Sequence, residues 1–125
     1  MIQIITDSTA GLPPVIAEHE GILVVPAQVL FGTEGFRDGV ELTSEAFFER
    51  LALDTGMLPT TTLPLRSDFE AVYTIARTRG ADAALSIHLG SAFSGTCSAA
   101  GLAAEEAPLP SAANRTRCRR RLRRS

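Results

Sequence analysis

Lysine is absent from this chain of 125 residues. No Gly-x-x-x-x-Gly-Lys-Ser/Thr loop is present, which removes phosphate-loop nucleotide chemistry. Gly-x-Gly-x-x-Gly, His-Glu-x-x-His and Gly-x-Ser-x-Gly are also missing. These spacings mark dinucleotide sites, helix-borne zinc sites and hydrolase elbows. The two cysteines, Cys97 and Cys118, are too few for a disulfide framework and have no metal-ligand partners close in sequence, so they read as ordinary thiols. No apolar run approaches the ~18 residues of a membrane span. The opening Met1-Ile2-Gln3-Ile4-Ile5 has neither a basic region nor a cleavage site. The expectation is a cytoplasmic protein without integral membrane association.

Charge is divided along the chain. Residues 1–114 hold all 14 acids against five arginines, a net charge of −9, whereas the last 11 residues hold seven arginines and no acid. Arginine without lysine fits a GC-rich coding sequence, in which a shifted reading frame yields arginine runs. The tail reads as solvated, disordered chain or a frame artefact, and no nucleic-acid partner is expected. Length and a 45% hydrophobic share support one modest domain. We place it at residues 1–107, followed by a Pro/Ala-rich, then Arg-rich tail at 108–125.

Within 1–107, strand and helix signals alternate. Ile2, Ile4 and Ile5 begin a buried strand that ends in Thr6-Asp7-Ser8-Thr9. Pro13 and Pro14 open a helix and Gly21 closes it. Ile22–Val25 is a continuous apolar run, as in a strand covered on both faces. Val29–Phe31 is a further short strand, and Asp38-Gly39 a turn. Thr43 caps a helix carrying Phe47, Phe48 and Leu51, which Gly56 ends. Residues 57–65 read as a Thr/Pro-rich loop. Ser67-Asp68-Phe69-Glu70 has the form of a capping box, with Phe69, Val72, Tyr73 and Ala76 on one face behind it. Ala83–Ile87 is the next strand. A last helix runs from about Ser94 to Glu106, its Ala99, Ala100, Ala103 and Ala104 permitting close approach to a sheet. The fold class expected is α/β, a layered domain with a mostly parallel sheet.

Three polar loops stand at strand ends or before helices: Thr6–Thr9, Thr60-Thr61-Thr62 and Ser91–Thr96. Ligands of open parallel sheets bind beyond the carboxyl ends of the strands. Ser94-Gly95-Thr96 sits where a helix begins, with unpaired N–H groups and the positive end of the helix dipole. Such a place suits a carboxylate or phosphate, and Gly95 lets it approach the backbone. Asp7, Ser8 and Ser91 are candidate support for the same pocket. Each loop alone also reads as turn or cap chemistry. His88 and His19 read as structural or surface histidines, since neither has a carboxylate partner evident from the sequence.

Thr6-Asp7-Ser8-Thr9-Ala10-Gly11-Leu12 resembles the opening of DegV proteins. The resemblance continues through Ile22–Pro26, Asp38-Gly39, Pro59-Thr60-Thr61-Thr62-Leu63-Pro64 and Ser91–Thr96, with matching order and spacing to about residue 106. It implies the α/β N-terminal lobe of a bacterial, cytoplasmic fatty-acid-binding protein. By position, Thr61, Thr62, Ser94, Gly95 and Thr96 would bind the ligand's carboxylate. It further implies presentation of the bound acid to a fatty acid kinase, no enzymatic activity of its own, no metal and no cofactor. Thr62 stands where the family usually has Ser, Leu63 where it has Gln, and Gly11 where it has Asp. The family's second domain is missing, so truncation and impaired acyl binding are expected. A phosphate-binding enzyme using the same helix terminus, and a non-functional gene remnant, stand as alternatives.

Overall fold

The computed structural model of the chain describes residues 1–53, 58–88, 95–106 and 114–118. Four parallel strands make its main sheet. They are β1 (Ile2–Asp7), β2 (Leu23–Val25), β6 (Ala83–His88) and β7 (Asn114–Cys118), in the order β2-β1-β6-β7. β1 pairs with β2 from Ile5 opposite Leu23 to Asp7 opposite Val25, and with β6 from Ile2 opposite Ala83 to Ile5 opposite Ser86. A parallel pair needs a crossover. Helix α1 (Pro14–Glu20) supplies the first and α4 (Thr96–Glu106) the last. α1 starts on Pro14 and stops at Gly21, whose φ of 67° is left-handed; a residue with a Cβ would be strained there. The buried Gln3 side chain donates to Gly21 O at 2.6 Å, which ties the end of α1 to the start of β1.

Against this sheet lies α3 (Arg66–Thr78). Its expected face is fully realised: Phe69, Val72, Tyr73 and Ala76 are all buried. With Ile5, Val25 and Ala84 from the strands and Ala100, Ala103 and Ala104 from α4 they form the principal core. Alanines on α4 leave room for large partners, and Tyr73 takes it. Its hydroxyl bonds Ser86 Oγ at 3.0 Å and Ala100 O at 3.3 Å, so the polar atom that Tyr73 carries into the core is satisfied.

The start of α3 differs from the expected capping box. The helix begins at Arg66 behind Leu65, and no side chain caps it. Both acidic groups have stronger engagements. Asp68 receives Arg37 Nε at 2.9 and 3.1 Å, and Glu70 receives Arg66 Nε at 2.9 Å. A charge-assisted bond to a guanidinium outcompetes a neutral cap.

A second, antiparallel sheet was not foreseen. β3 (Gln28–Phe31) lies between β4 (Glu34–Arg37) and β5 (Thr60–Thr62). Together with α2 (Ser44–Leu53), whose Ala46 N–H donates to Thr43 Oγ1 at 3.2 Å as expected of a cap, it encloses a small core of Val29, Phe31 and Leu42. Thus residues 60–62, read as loop, form a strand that draws its backbone bonds from β3. Residues 114–118, read as part of a tail without regular structure, pair parallel with β6 from Ala84 opposite Asn114 to His88 opposite Cys118. In both segments the pairing comes from neighbours distant in sequence, so local composition carries no sign of it.

Candidate functional site

The strand order β2-β1-β6-β7 creates a switch point in the sheet. From β1 the chain crosses outward to β2; from β6 it crosses outward the opposite way, to β7. The crevice between two oppositely directed crossovers, at the carboxyl ends of the strands, is the binding position of open α/β sheets. Here it lies between the ends of β1 and β6. A cavity of 180 Å³ occupies it, lined by Thr6, Asp7, Thr9 and Ala10 from the β1 side and by Ile87 and His88 from the β6 side.

Asp7 organises this crevice. It is 2% exposed although it is an acid. Its Oδ1 accepts from the backbone N–H of Thr9 at 2.9 Å and from the Thr9 hydroxyl, which fixes the short turn Ser8–Ala10. Its Oδ2 lies 2.6 Å from Nδ1 of His88, whose side chain is wholly buried. Burial pushes the carboxyl pKa up. The bonds from His88 and Thr9 act against burial and together prevail, so the group stays below its ordinary value of 3.8. An ionised Asp7 only accepts, so the proton between the two groups belongs to His88 Nδ1. In the neutral ring this leaves Nε2 with a lone pair. That atom is buried and has no hydrogen-bond partner among the described residues. The edge of Phe69 packs at 5.7 Å from the imidazole, holding the ring from the α3 side.

No carboxylate stands close to His88 along the chain, so the pair is not legible from local sequence. The partner is 81 residues away and adjacent only because β1 and β6 are neighbours. The alternation of two strands each ending in a polar residue was the available signal, and strand order was the missing information.

The remaining candidate residues are distributed as follows. Ser8 does not line the cavity; its Oγ accepts from Ala27 N–H at 2.9 Å and joins the first turn to the segment after β2. Thr61 and Thr62 lie on the exposed strand β5, with backbone partners Val29 and Gln28 on β3. Gly95 immediately precedes α4, and Thr96, buried, is its first residue. Ser94 and Ser91 lie outside the described residues. The end of β5 and the start of α4 are nonetheless in contact. A Cβ placed on Gly95 would stand 3.2 Å from Cδ1 of Leu63, the residue after Thr62. The Leu63 side chain therefore packs close to Gly95, between the segment after β5 and the start of α4.

Similarity to known proteins covers most of the chain. The profile of the family described as "Uncharacterised protein, DegV family" matches residues 1–115. A DegV domain-containing protein of Halalkalibacterium halodurans is 42% identical over 95 residues, covering 76% of this chain and 33% of the relative. Among solved structures, a DegV family protein from Thermus thermophilus, described for its fatty acid binding, is 35% identical with a TM-score of 0.74, covering 94% of this chain and 40% of that one. DegV of Bacillus subtilis, described as a fatty acid binding protein, is 34% identical with a TM-score of 0.77, covering 93% of this chain and 39% of that one. The chain spans about a third of the length of the curated relatives it matches.

Proposed function

The chain belongs to the DegV family, and from that premise we propose that it binds a long-chain fatty acid by its carboxylate. The observation that carries the proposal is the contact of Leu63 with Gly95, which sets the hydroxyl-bearing strand β5 beside the start of α4. A carboxylate withdrawn from water needs several charge-assisted donors. Thr61 and Thr62 on one side, and Gly95 and Thr96 on the other, are the groups assigned to it, with Ser94 joining them by sequence position. Fatty acid binding by the Thermus thermophilus and Bacillus subtilis relatives supports the choice of a carboxylate on an apolar chain over a free phosphate.

The acyl chain then gains ~0.8 kcal/mol for each methylene covered. The role is that of a carrier without chemistry of its own, acting in the cytoplasm and offering the bound acid's carboxylate to a fatty acid kinase. No helix among the described residues is long and apolar enough to cross a membrane.

Native mass spectrometry of the 125-residue chain with added palmitate tests the proposal. One acid per chain is expected. Thr61→Ala, on an exposed strand where folding is spared, should weaken binding roughly tenfold or more, as loss of a bond to a charged group demands. Absence of any bound acid, or an unchanged affinity in Thr61→Ala, overturns it.

A further inference from the structure

We propose that the ion pair between Arg37 and Asp68 is a clasp that holds the second sheet where the end of β5 meets the start of α4. Arg37 is thereby a positioning residue for the binding site. The inference rests on the reading of that site as a carboxylate binder and adds to it a group that touches no ligand. Three observations carry it. First, the structure has two hydrophobic cores. One, with Ile5, Phe69, Tyr73 and Ala100, joins the parallel sheet to α3 and α4; the other, with Val29, Phe31 and Leu42, joins the antiparallel sheet to α2. They share no residue among those described. Second, the groups assigned to the carboxylate are divided between the two. Thr61 and Thr62 stand on β5 of the antiparallel sheet, Gly95 and Thr96 at the start of α4. Their separation is therefore set by how one sheet sits on the other. Third, Arg37, the last residue of β4, reaches out of its own sheet. Its Nε donates to Asp68 Oδ1 at 2.9 Å and Oδ2 at 3.1 Å, in the first turn of α3.

The attachment of the second sheet shows what this bond adds. The chain enters that sheet at Gln28 on β3 and leaves it at Thr62 on β5, and the two residues are register partners. Neighbouring strands lie ~4.8 Å apart, so these two crossings make a narrow stalk about which the sheet is free to twist. Arg37 is the register partner of Gln28 on the other side. Its grip on α3 makes the attachment three strands wide. The bond also closes a ring. From Asp68 the ring runs back through residues 63–65 to β5, then across β3 to Arg37. Leu63, whose side chain lies against Gly95, belongs to that ring. Glu41 steadies the guanidinium, accepting from Arg37 Nη1 at 2.6 Å and from its backbone N–H at 3.3 Å. The Arg37 and Asp68 side chains are 35% and 14% exposed. A pair so placed adds little to folding stability, so its effect is on orientation, and either partner can be altered without unfolding a core.

Residual dipolar couplings of the backbone amides, measured on the 125-residue chain in a dilute aligned phase, read the orientation of the two sheets. In the unaltered chain one alignment tensor should fit both. In Arg37→Gln the couplings of β3, β4 and β5 should shrink against those of β1, β2 and β6, while each sheet still fits its own geometry. Octanoate serves as the probe of binding, because it is ionised in solution and monomeric at titrating concentrations. Its Kd, by NMR titration, should rise roughly tenfold in the same variant, as on losing one donor to a charged group. Asp68→Asn keeps the shape of the side chain and removes its charge. It should reproduce both effects, and the double variant should be no worse than either single one, because all three break the same link. A merely structural pair would lower the urea midpoint and leave the single tensor and the Kd unchanged. One tensor in both variants overturns the clasp, and altered alignment with an unaltered Kd overturns its role in binding. No octanoate bound by the unaltered chain overturns the carboxylate reading, and the couplings then decide the clasp alone.

Discussion

At the scale of single residues, Asp7 holds together what the sequence keeps apart. One oxygen fixes the turn after β1, and the other reaches the end of β6. Because its folded pKa lies below the ordinary 3.8, the sign of its effect on stability is determined. The contribution is complete above that value and is lost as pH falls below it through the folded pKa. Asp7→Asn should therefore destabilise the chain at neutral pH by about 1.5–3 kcal/mol, the range for bonds to a charged group. The difference from the unaltered chain should shrink as pH drops below 3.8. Urea unfolding at pH 7 and pH 3 measures it; a difference that is the same at both values would deny the carboxylate this role. Leu63 and Gly95 illustrate the second lesson at this scale. Glycine before α4 was legible as a close-approach position, but the approaching group is a leucine of the neighbouring loop, which no spacing rule identifies.

Elements were legible where one face dictated them. The i, i+3, i+4, i+7 pattern of α3 is realised residue for residue, because burying Phe69, Val72, Tyr73 and Ala76 outweighs every local preference. Its first turn was misread because the acids of the apparent capping box are held by Arg37 and Arg66. Phe69 is 0% exposed and touches both the core and the His88 ring. Phe69→Ala should cost about 3–5 kcal/mol, read as a lowered urea midpoint. A loss below about 1 kcal/mol would show that α3 does not bear on the sheet as described. Strands β4 and β5 escaped notice for the opposite reason. Thr60–Thr62 is exposed along its length, so no alternation of apolar and polar residues announces it.

For the molecule as a whole, composition and alternation were enough to predict an α/β domain with a parallel sheet. They could not give the strand order, and the order is what creates the crevice. Once β1 and β6 are neighbours with crossovers leaving in opposite directions, the polar residues at their ends must meet. The second sheet then brings Thr60–Thr62 to the α4 side through Leu63. Function in this account comes from convergence: hydroxyls and amides from separate segments act on one negatively charged group. Amide-resolved NMR during titration of the chain with octanoate tests that claim most directly. The account predicts that Thr61, Thr62, Gly95 and Thr96 shift together along one saturation curve with a single Kd. Shifts confined to one of the two segments, or saturating at different concentrations, would contradict it.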